Sequence, residues 1–310
     1  MVIQNILSGI KSKKIKYIAQ AISLIDNNTN EGQLLINQIE DLSSHHSYKI
    51  GITGPPGAGK SSITNQLIKK FKEQNKSIGV LLVDPTSPYS NGSILGDRIR
   101  MNNYGSDVFI RSLATRGSKG GLSENIDDIS KILDYAGFDI VIFETVGVGQ
   151  VELDVVEVVD TVVVTLVPES GDDIQMMKAG LIEIADVYVI NKSDRKDAEK
   201  LNLYLDNMLS IIDKDKWKPD IVKTIATIGE GIDQLIEIVY NHKKHLINNN
   251  ILDFKNKKKY IRVVKRKVDT KLKNEFWNKN RIALLESESS KPLKKRSSIS
   301  DLIKKIESDD

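Results

Sequence analysis

The strongest constraint on the fold is one stretch, Gly54-Pro55-Pro56-Gly57-Ala58-Gly59-Lys60-Ser61, which matches the pattern G-x-x-x-x-G-K-[ST]. The apolar run Tyr48–Thr53 before it predicts a strand, and Ser61–Gln74 after it predicts a helix. A glycine-containing loop between these elements points backbone N–H groups inward, where the dipole of the helix also favours phosphate. The sequence therefore predicts a phosphate-binding loop that runs from Gly54 to Ser62.

Two side chains at the end of this loop have specific roles in the pattern. Lys60 reaches the β and γ phosphates, and Ser61 supplies a hydroxyl to Mg²⁺. The alternative is a glycine-rich turn that binds nothing, but strand, loop and helix stand in the order that phosphate binding requires.

The segment around this loop alternates short β-rich runs with helical stretches. Several of the runs are continuously apolar, as in strands buried on both faces of a sheet. The predicted strands are Tyr48–Thr53, Ile78–Asp84, Asp107–Ser112, Asp139–Thr145, Thr161–Val167, Val187–Asn191 and Ile221–Ala226. The alternation predicts an α/β fold of the P-loop NTPase type, with a mostly parallel, doubly wound sheet.

Helical extensions are expected at both ends of this domain. Residues 1–46 have helical apolar spacing that is interrupted at Asn27–Asn30, residues 47–247 form the nucleotide-binding domain, and residues 248–310 form a basic helical extension, a possible dimerisation arm. From Lys255 onward there are 18 Lys and Arg against 8 Asp and Glu, a net charge of about +10 in a chain whose total is +3. A solvated helical face explains this charge better than nucleic-acid binding, because aromatic residues are not interleaved with it.

Cysteine is absent, which excludes disulfides, cysteine zinc sites and thiol catalysis. No apolar run approaches the length of about 18 residues that a membrane-spanning helix needs, and the first residues lack the features of a signal peptide. We therefore expect a cytoplasmic protein that does not bind membranes.

The base is indicated by a second motif, Asn191-Lys192-Ser193-Asp194, at the end of a predicted strand. The carboxylate of Asp194 can accept both N1–H and the 2-amino group of guanine, which adenine does not offer, and such paired contacts discriminate strongly. Asn191 can tie this loop to the phosphate loop, the Lys192 stem can lie along the base, and Ala226 can offer its backbone N–H to guanine O6. The motif predicts GTP and GDP as ligands; the alternative is a capped loop.

Carboxylates at neighbouring strand ends indicate the side that holds magnesium. Glu144 follows an apolar strand in Glu144-Thr145-Val146-Gly147, where a carboxylate can reach Mg²⁺ and the N–H of Gly147 can touch the γ-phosphate. Asp84 ends another strand at the same sheet edge. Asp97 lies in a glycine-bearing loop, with a helix N-cap as the equal alternative.

Together these motifs resemble the ArgK/MeaB family of P-loop GTPases, which accompany cobalamin-dependent acyl-CoA mutases such as methylmalonyl-CoA mutase. The resemblance is carried by GPPGAGKSS, VDPTSPYSNGSILGDRIRM, ETVGVGQVE, VPESGDDIQMMKAGLIEIAD and NKSD, and it covers roughly Ile6 to Val239. Asn91 stands where the family usually has glycine, and the last residues do not match the usual family tail.

The resemblance implies slow GTP hydrolysis that gates cobalamin delivery to a mutase partner and protects that mutase from inactivation. It implies that Lys60, Glu144 and Asp97 act in hydrolysis, and that Ser61 and Asp84 join Glu144 and Asp97 around the metal. Residues 169–178, which include Asp172, Asp173 and Lys178, would form a switch that couples the nucleotide to the partner. Family members are homodimers through C-terminal helices.

Three other classes of function share this fold. A metallochaperone GTPase usually carries Cys or His clusters, and this chain has only the pairs His45-His46 and His242/His245. A kinase for a small molecule would need an acceptor pocket that the sequence does not reveal. A GTP-binding scaffold would differ from the mutase chaperone only in its rate of hydrolysis.

Overall fold

The computed structural model of the chain describes residues 2–42, 45–84, 107–114, 125–145, 155–168, 181–210 and 217–308. The strands are β1 (Tyr48–Thr53), β2 (Ile78–Asp84), β3 (Val108–Ala114), β4 (Ile140–Thr145), β5 (Thr161–Leu166), β6 (Val187–Asn191) and β7 (Asp220–Thr224). The helices are α1 (Val2–Lys11), α2 (Ile15–Asp26), α3 (Asn30–Leu42), α4 (Lys60–Glu73), α5 (Ile126–Ala136), α6 (Leu181–Ile184), α7 (Ala198–Leu209), α8 (Ile232–Asn248), α9 (Ile251–Phe276), α10 (Lys279–Ser290) and α11 (Ile299–Glu307).

The seven strands form one sheet in the order β3-β2-β4-β1-β5-β6-β7, and every pairing between them is parallel. The strands β1, β4, β5 and β6 are buried at every residue, which explains their continuous apolar sequence. The predicted fold class is confirmed. Because β4 and β5 flank β1, their carboxyl ends stand on either side of the loop that follows β1.

Helices cover the sheet on both faces and divide the core into two clusters. On one face α1, α2, α3 and α5 pack together over side chains such as Leu81, Val141 and Phe143. On the other face α4 and α8 pack over Ile50, Ile142 and their neighbours. Each fully buried aliphatic side chain of this kind contributes about 1.5–3 kcal/mol to the hydrophobic stabilisation of the fold.

The N-terminal extension consists of three helices, because the chain turns at residues 12–14 between α1 and α2. Lys13 adopts a left-handed backbone conformation there, with φ 52°. Its Nζ donates to Ser77 Oγ at 2.8 Å, and Ser77 in turn donates through both N and Oγ to Asp139 Oδ2 at 2.8 and 2.7 Å. The turn is therefore attached to the amino ends of β2 and β4.

The chain divides into two compact units, Met1–Asp253 and Phe254–Asp310. The second unit is held by Arg281, whose Nε donates to Ile306 O at 2.9 Å and whose Nη1 donates to Phe276 O at 3.0 Å. Hydrogen bonds from Lys291 and from the Ser297 backbone N–H lower the pKa of Glu288 to about 2.

In the described part of the chain, no helix is both long enough and apolar enough to cross a membrane.

Candidate nucleotide-binding site

The predicted phosphate loop occupies residues 54–59, between β1 and α4. Gly54, Gly57 and Gly59 all have positive φ, at 135°, 77° and 90°, which glycine adopts readily. A Cβ at Gly54 would lie 2.1 Å from Thr165 O, and one at Gly59 would lie 2.2 Å from Asn191 Nδ2. Two of the three glycines are therefore required by close packing as well as by backbone conformation.

Lys60 is buried and folded back onto the loop. Its Nζ donates to Gly54 O at 2.6 Å and to Pro55 O at 2.9 Å. These carbonyl oxygens hold the ammonium group at the start of α4, where the N-terminal dipole favours an anion. A phosphate oxygen arriving at this site would meet a positive charge that is already desolvated and oriented.

Ser61, at the amino end of α4, is in direct contact with Glu144, near the carboxyl end of β4. Ser61 Oγ donates to Glu144 Oε1 at 2.5 Å, and Glu144 is 3% exposed. The next residue, Thr145, donates to Thr53 Oγ1 at 3.0 Å and so joins the ends of β4 and β1. A hydroxyl and a carboxylate in contact beside a phosphate loop match the oxygen ligands that Mg²⁺ prefers.

The other predicted residues of the metal and partner side are not covered by the structure. Asp84 ends β2 at the expected sheet edge, but its side chain lies outside the described residues. The same holds for the whole of Asn91, Asp97, Gly147, Asp172, Asp173 and Lys178.

On the base side, the amide of Asn191 joins three segments of the chain. Its Nδ2 donates to Ala58 O in the phosphate loop at 2.8 Å. Its Oδ1 accepts from Thr224 Oγ1 and from the Ala226 N–H, both at 3.1 Å. Asn191 is 3% exposed, so both ends of this amide are satisfied within the protein.

The rest of the NKSD motif turns outward after this anchor. Lys192 has φ 57°, a conformation that costs a non-glycine residue roughly 1 kcal/mol. The Ser193 N–H donates to Thr224 O at 3.1 Å, and the side chain of Asp194 is exposed. The strained, tethered turn thus presents a solvated carboxylate next to the loop that follows β7.

That loop, the base loop (residues 225–230), holds Ala226. Its N–H is engaged by Asn191 Oδ1, so guanine O6 would have to share this donor. Ala226 O accepts from Gln66 Nε2 of α4 at 2.8 Å. Sequence reasoning missed Gln66, because a glutamine in an amphipathic helix carries no signal of a contact 160 residues away.

The histidines considered for a metallochaperone lie elsewhere in the structure. His242 is buried, with Nδ1 2.7 Å from Thr161 Oγ1 and its ring tilted against that of Trp217, with centroids 4.7 Å apart. Among the described residues there is no group of three or more His, Cys, Asp or Glu side chains arranged to hold a metal ion.

Comparison with known families matches residues 18–281 to the profile of the methylmalonyl Co-A mutase-associated GTPase MeaB. The chain is 45% identical over 250 residues to a Pyrococcus horikoshii protein assigned provisionally as a GTPase, and the match covers 79% of this chain and 78% of that one. It is 34% identical over 239 residues to the GTPase ArgK of Escherichia coli, covering 74% and 72% of the two chains.

A mitochondrial mouse protein named methylmalonic aciduria type A homolog is 32% identical over 253 residues, covering 75% of this chain and 61% of the mouse protein. The fold resembles the crystal structure of a LAO/AO transport system kinase with a TM-score of 0.71, over 98% of this chain and 96% of that one. At 21% identity, this likeness concerns the fold alone.

Proposed function

The chain belongs to the MeaB family of methylmalonyl Co-A mutase-associated GTPases, and from this premise we propose that it is a Mg²⁺-dependent GTP-hydrolysing chaperone for a cobalamin-dependent acyl-CoA mutase. GTP hydrolysis is the activity given by the name of the family and by that of the Escherichia coli relative. The mutase partner, the metal and the roles of individual residues are our proposal.

The observation that carries the nucleotide assignment is the Asn191 bridge. Its hydrogen bond to Ala58 O fixes the NKSD turn against the phosphate loop. One ligand with a phosphate end and a base end can therefore contact Lys60 and Asp194 together. The exposed carboxylate of Asp194 supports guanine, because it can accept from N1–H and the 2-amino group.

We assign the remaining site residues by their contacts. The loop from Gly54 to Ser62 holds the phosphates through the ammonium of Lys60 and through the backbone N–H groups of its residues other than Pro55 and Pro56, which have none. Ser61 with Glu144 would hold Mg²⁺. The metal ion would neutralise charge on the phosphate oxygens during transfer to water. The protein itself positions the γ-phosphate, since positioning and electrostatic stabilisation dominate this chemistry.

The mutase partner is supported by the family description and by the name of the mouse relative. In this proposal, residues 169–178 respond to the nucleotide and contact the mutase, so that hydrolysis gates cofactor delivery. Asp97, Asp84 and Gly147 complete the metal and γ-phosphate side.

We also propose a homodimer formed by the C-terminal unit. On α9, the exposed apolar side chains Phe254, Ile261, Val268 and Leu272 recur at intervals of four or seven residues, which is helical spacing. Such a stripe is typical of a helix that packs against a partner.

The test is phosphate release from GTP and from ATP with Mg²⁺, measured with and without the cobalamin-dependent mutase of the same organism. We expect turnover of GTP but not ATP, and a changed rate with the mutase.

Lys60→Ala should abolish turnover, and Asp194→Asn should move the nucleotide preference from GTP toward xanthosine triphosphate. Asp206→Asn, an exposed aspartate of α7, serves as the matched control. Turnover of ATP equal to that of GTP would refute the base assignment, and a rate indifferent to the mutase would refute the partner.

A further inference from the structure

The helix that binds phosphate also contacts the loop that faces the base. Gln66 lies five residues after Ser61 on α4, about 7.5 Å further along the helix axis. Its Nε2 donates to Ala226 O at 2.8 Å, and the side chain is half-buried. This hydrogen bond is a second connection between the two parts of the site, in addition to the one that Asn191 makes.

The two hydrogen bonds at Ala226 hold the peptide groups on either side of its Cα. Asn191 Oδ1 accepts from the N–H, and Gln66 Nε2 donates to the carbonyl. Since Asn191 is on β6 and Gln66 on α4, the position of Ala226 is set from two different elements. A displacement of either element would change where the Ala226 N–H points.

The rest of the base loop keeps Ala226 from adjusting by itself. The Ile225 N–H donates to Glu230 O at 3.1 Å, and the N–H groups of Ile228 and Gly229 both donate to Ile225 O. Gly229 also packs on Gln66, because a Cβ at Gly229 would lie 3.4 Å from Gln66 Oε1. The loop is a turn closed by its own backbone hydrogen bonds, and Gln66 connects it to α4.

We propose that Gln66 is a positioning residue for guanine recognition, which aligns the Ala226 N–H with the 6-oxo group of the base by holding the Ala226 carbonyl against the phosphate helix. This inference rests on the proposed guanine site. Hydrogen-bonded recognition requires donors to be placed within about 0.5 Å, so a loosened loop weakens that contact without altering the phosphate contacts of Lys60. Water can replace the Gln66 donor, because the residue is half-buried, so loss of Gln66 loosens the loop without unfolding it.

The location of the contact between Gln66 and Ala226 predicts which nucleotides should bind more weakly when Gln66 is replaced. In the proposed site the Ala226 N–H, shared with Asn191 Oδ1, contacts the 6-oxo group that GDP and IDP both carry, whereas ADP carries an amino group at that position. In the proposed site the carboxylate of Asp194 accepts a hydrogen bond from the 2-amino group, which GDP carries and IDP lacks. Gln66 therefore contributes to the preference for GDP over ADP, to which Asp194 also contributes through N1–H, whereas the preference for GDP over IDP depends on Asp194 and not on Gln66.

The test is competition binding of GDP, IDP and ADP, with Mg²⁺, to the full-length chain and its variants. Gln66→Met keeps the volume but removes the donor, and Gln66→Glu places an acceptor against the Ala226 carbonyl. We expect both variants to weaken the binding of GDP and of IDP by a similar factor of about 3 to 10, corresponding to one hydrogen bond. The affinity for ADP should not change. Lys69→Ala, exposed on the same helix, should leave all three unchanged.

Two results would overturn the inference: equal weakening of all three nucleotides, or no change in either Gln66 variant while the melting temperatures show folded protein. Asp194→Asn is measured in parallel, and it should reduce the preference for GDP over IDP. If Asp194→Asn leaves that preference intact, the proposed guanine site fails. If it reduces the preference while the Gln66 variants do nothing, only the role of Gln66 fails.

Discussion

At the scale of single residues, the site depends on short polar contacts between segments that are far apart in sequence. The Ser61–Glu144 hydrogen bond joins α4 to β4, and the Asn191 amide joins β6 to the phosphate loop. The sequence motifs predicted these residues, because binding phosphate, Mg²⁺ and a base each requires particular residue types at a fixed spacing. Gln66 and the engagement of the Ala226 N–H could not be predicted, since both follow from how the base loop closes.

Glu144→Gln tests the metal assignment at this scale. The amide can still accept from Ser61 Oγ but carries no charge, so Mg²⁺-dependent hydrolysis should fall about tenfold or more while GDP binding changes little. The measurement is single-turnover hydrolysis against Mg²⁺ concentration, with Glu183→Gln, an exposed glutamate of α6, as the control. An unchanged Mg²⁺ dependence would reject the assigned role of Glu144.

At the scale of elements, all seven strands were predicted to within a residue or two. The inner strands are largely apolar because they are buried on both faces, and the edge strands β3 and β7 were predicted from β-rich runs that include polar residues. The break between α1 and α2 was not predicted. The apolar spacing continues across residues 12–14, and no glycine or proline marks the turn. The turn is instead fixed by tertiary contacts, namely those of Lys13 with Ser77 and with the ring of Phe138.

Gly9→Ala tests the packing of α1 against α2. A Cβ at Gly9 would lie 2.2 Å from the ring of Tyr17, so the helices must separate or the ring must move. We expect a loss of about 1–3 kcal/mol in the free energy of unfolding, despite the better helix propensity of alanine. Urea denaturation measures it, with Ser8→Ala, exposed on the same helix, as the control. A stabilised Gly9→Ala variant would contradict this packing.

The junction of Lys13, Ser77 and Asp139 predicts a dependence of stability on pH. Partial burial raises the pKa of Asp139, but the hydrogen bonds from Ser77 and the nearby charges of Lys76 and Lys13 outweigh it and lower the pKa below its ordinary value of 3.8. The stabilisation is therefore complete above 3.8 and is lost as pH falls through the lowered value.

Asp139→Asn should therefore unfold at lower urea than the wild type near neutral pH, and the difference should shrink below pH 3.8. The carboxylate is 40% exposed, so solvent screening keeps the effect small. Asp41→Asn, exposed on α3, is the control. A difference in unfolding midpoint that grows toward low pH would contradict a lowered pKa at Asp139.

At the scale of the whole molecule, the chemistry is concentrated in one unit. Lys60, Ser61, Glu144, Asn191 and Asp194 all belong to the unit Met1–Asp253, which has its own core on both faces of the sheet. The unit Phe254–Asp310 has a net charge of about +10, whereas the rest of the chain is net negative, and it carries the exposed apolar stripe of α9. The sequence analysis, from charge and the asparagine-rich segment before α9, instead began the basic extension at residue 248 and set residues 1–46 apart from the nucleotide-binding domain.

A chain that ends after Asp253 tests the division. We expect it to bind GDP within about threefold of the full-length affinity, because a unit with its own core can fold alone. It should also elute as a monomer if the C-terminal unit forms the proposed dimer. Light scattering and GDP titration make the two measurements. A truncated chain that remains dimeric would refute the proposed interface.

The hydrogen bond from Asn191 to the phosphate loop limits which substitutions that loop can accept. Asn191 donates a hydrogen bond to the backbone carbonyl of Ala58 and leaves no room for a side chain at residue 59. Its contact with the loop therefore depends on the loop's backbone conformation and not on its side chains. In a saturation library across residues 54–59, substitutions at the exposed Pro56 should survive selection. Those at Gly54 and Gly59 should be eliminated even where the phosphate contacts are intact, because a side chain at Gly54 would collide with Thr165 O of β5 and one at Gly59 would displace the Asn191 amide from the loop.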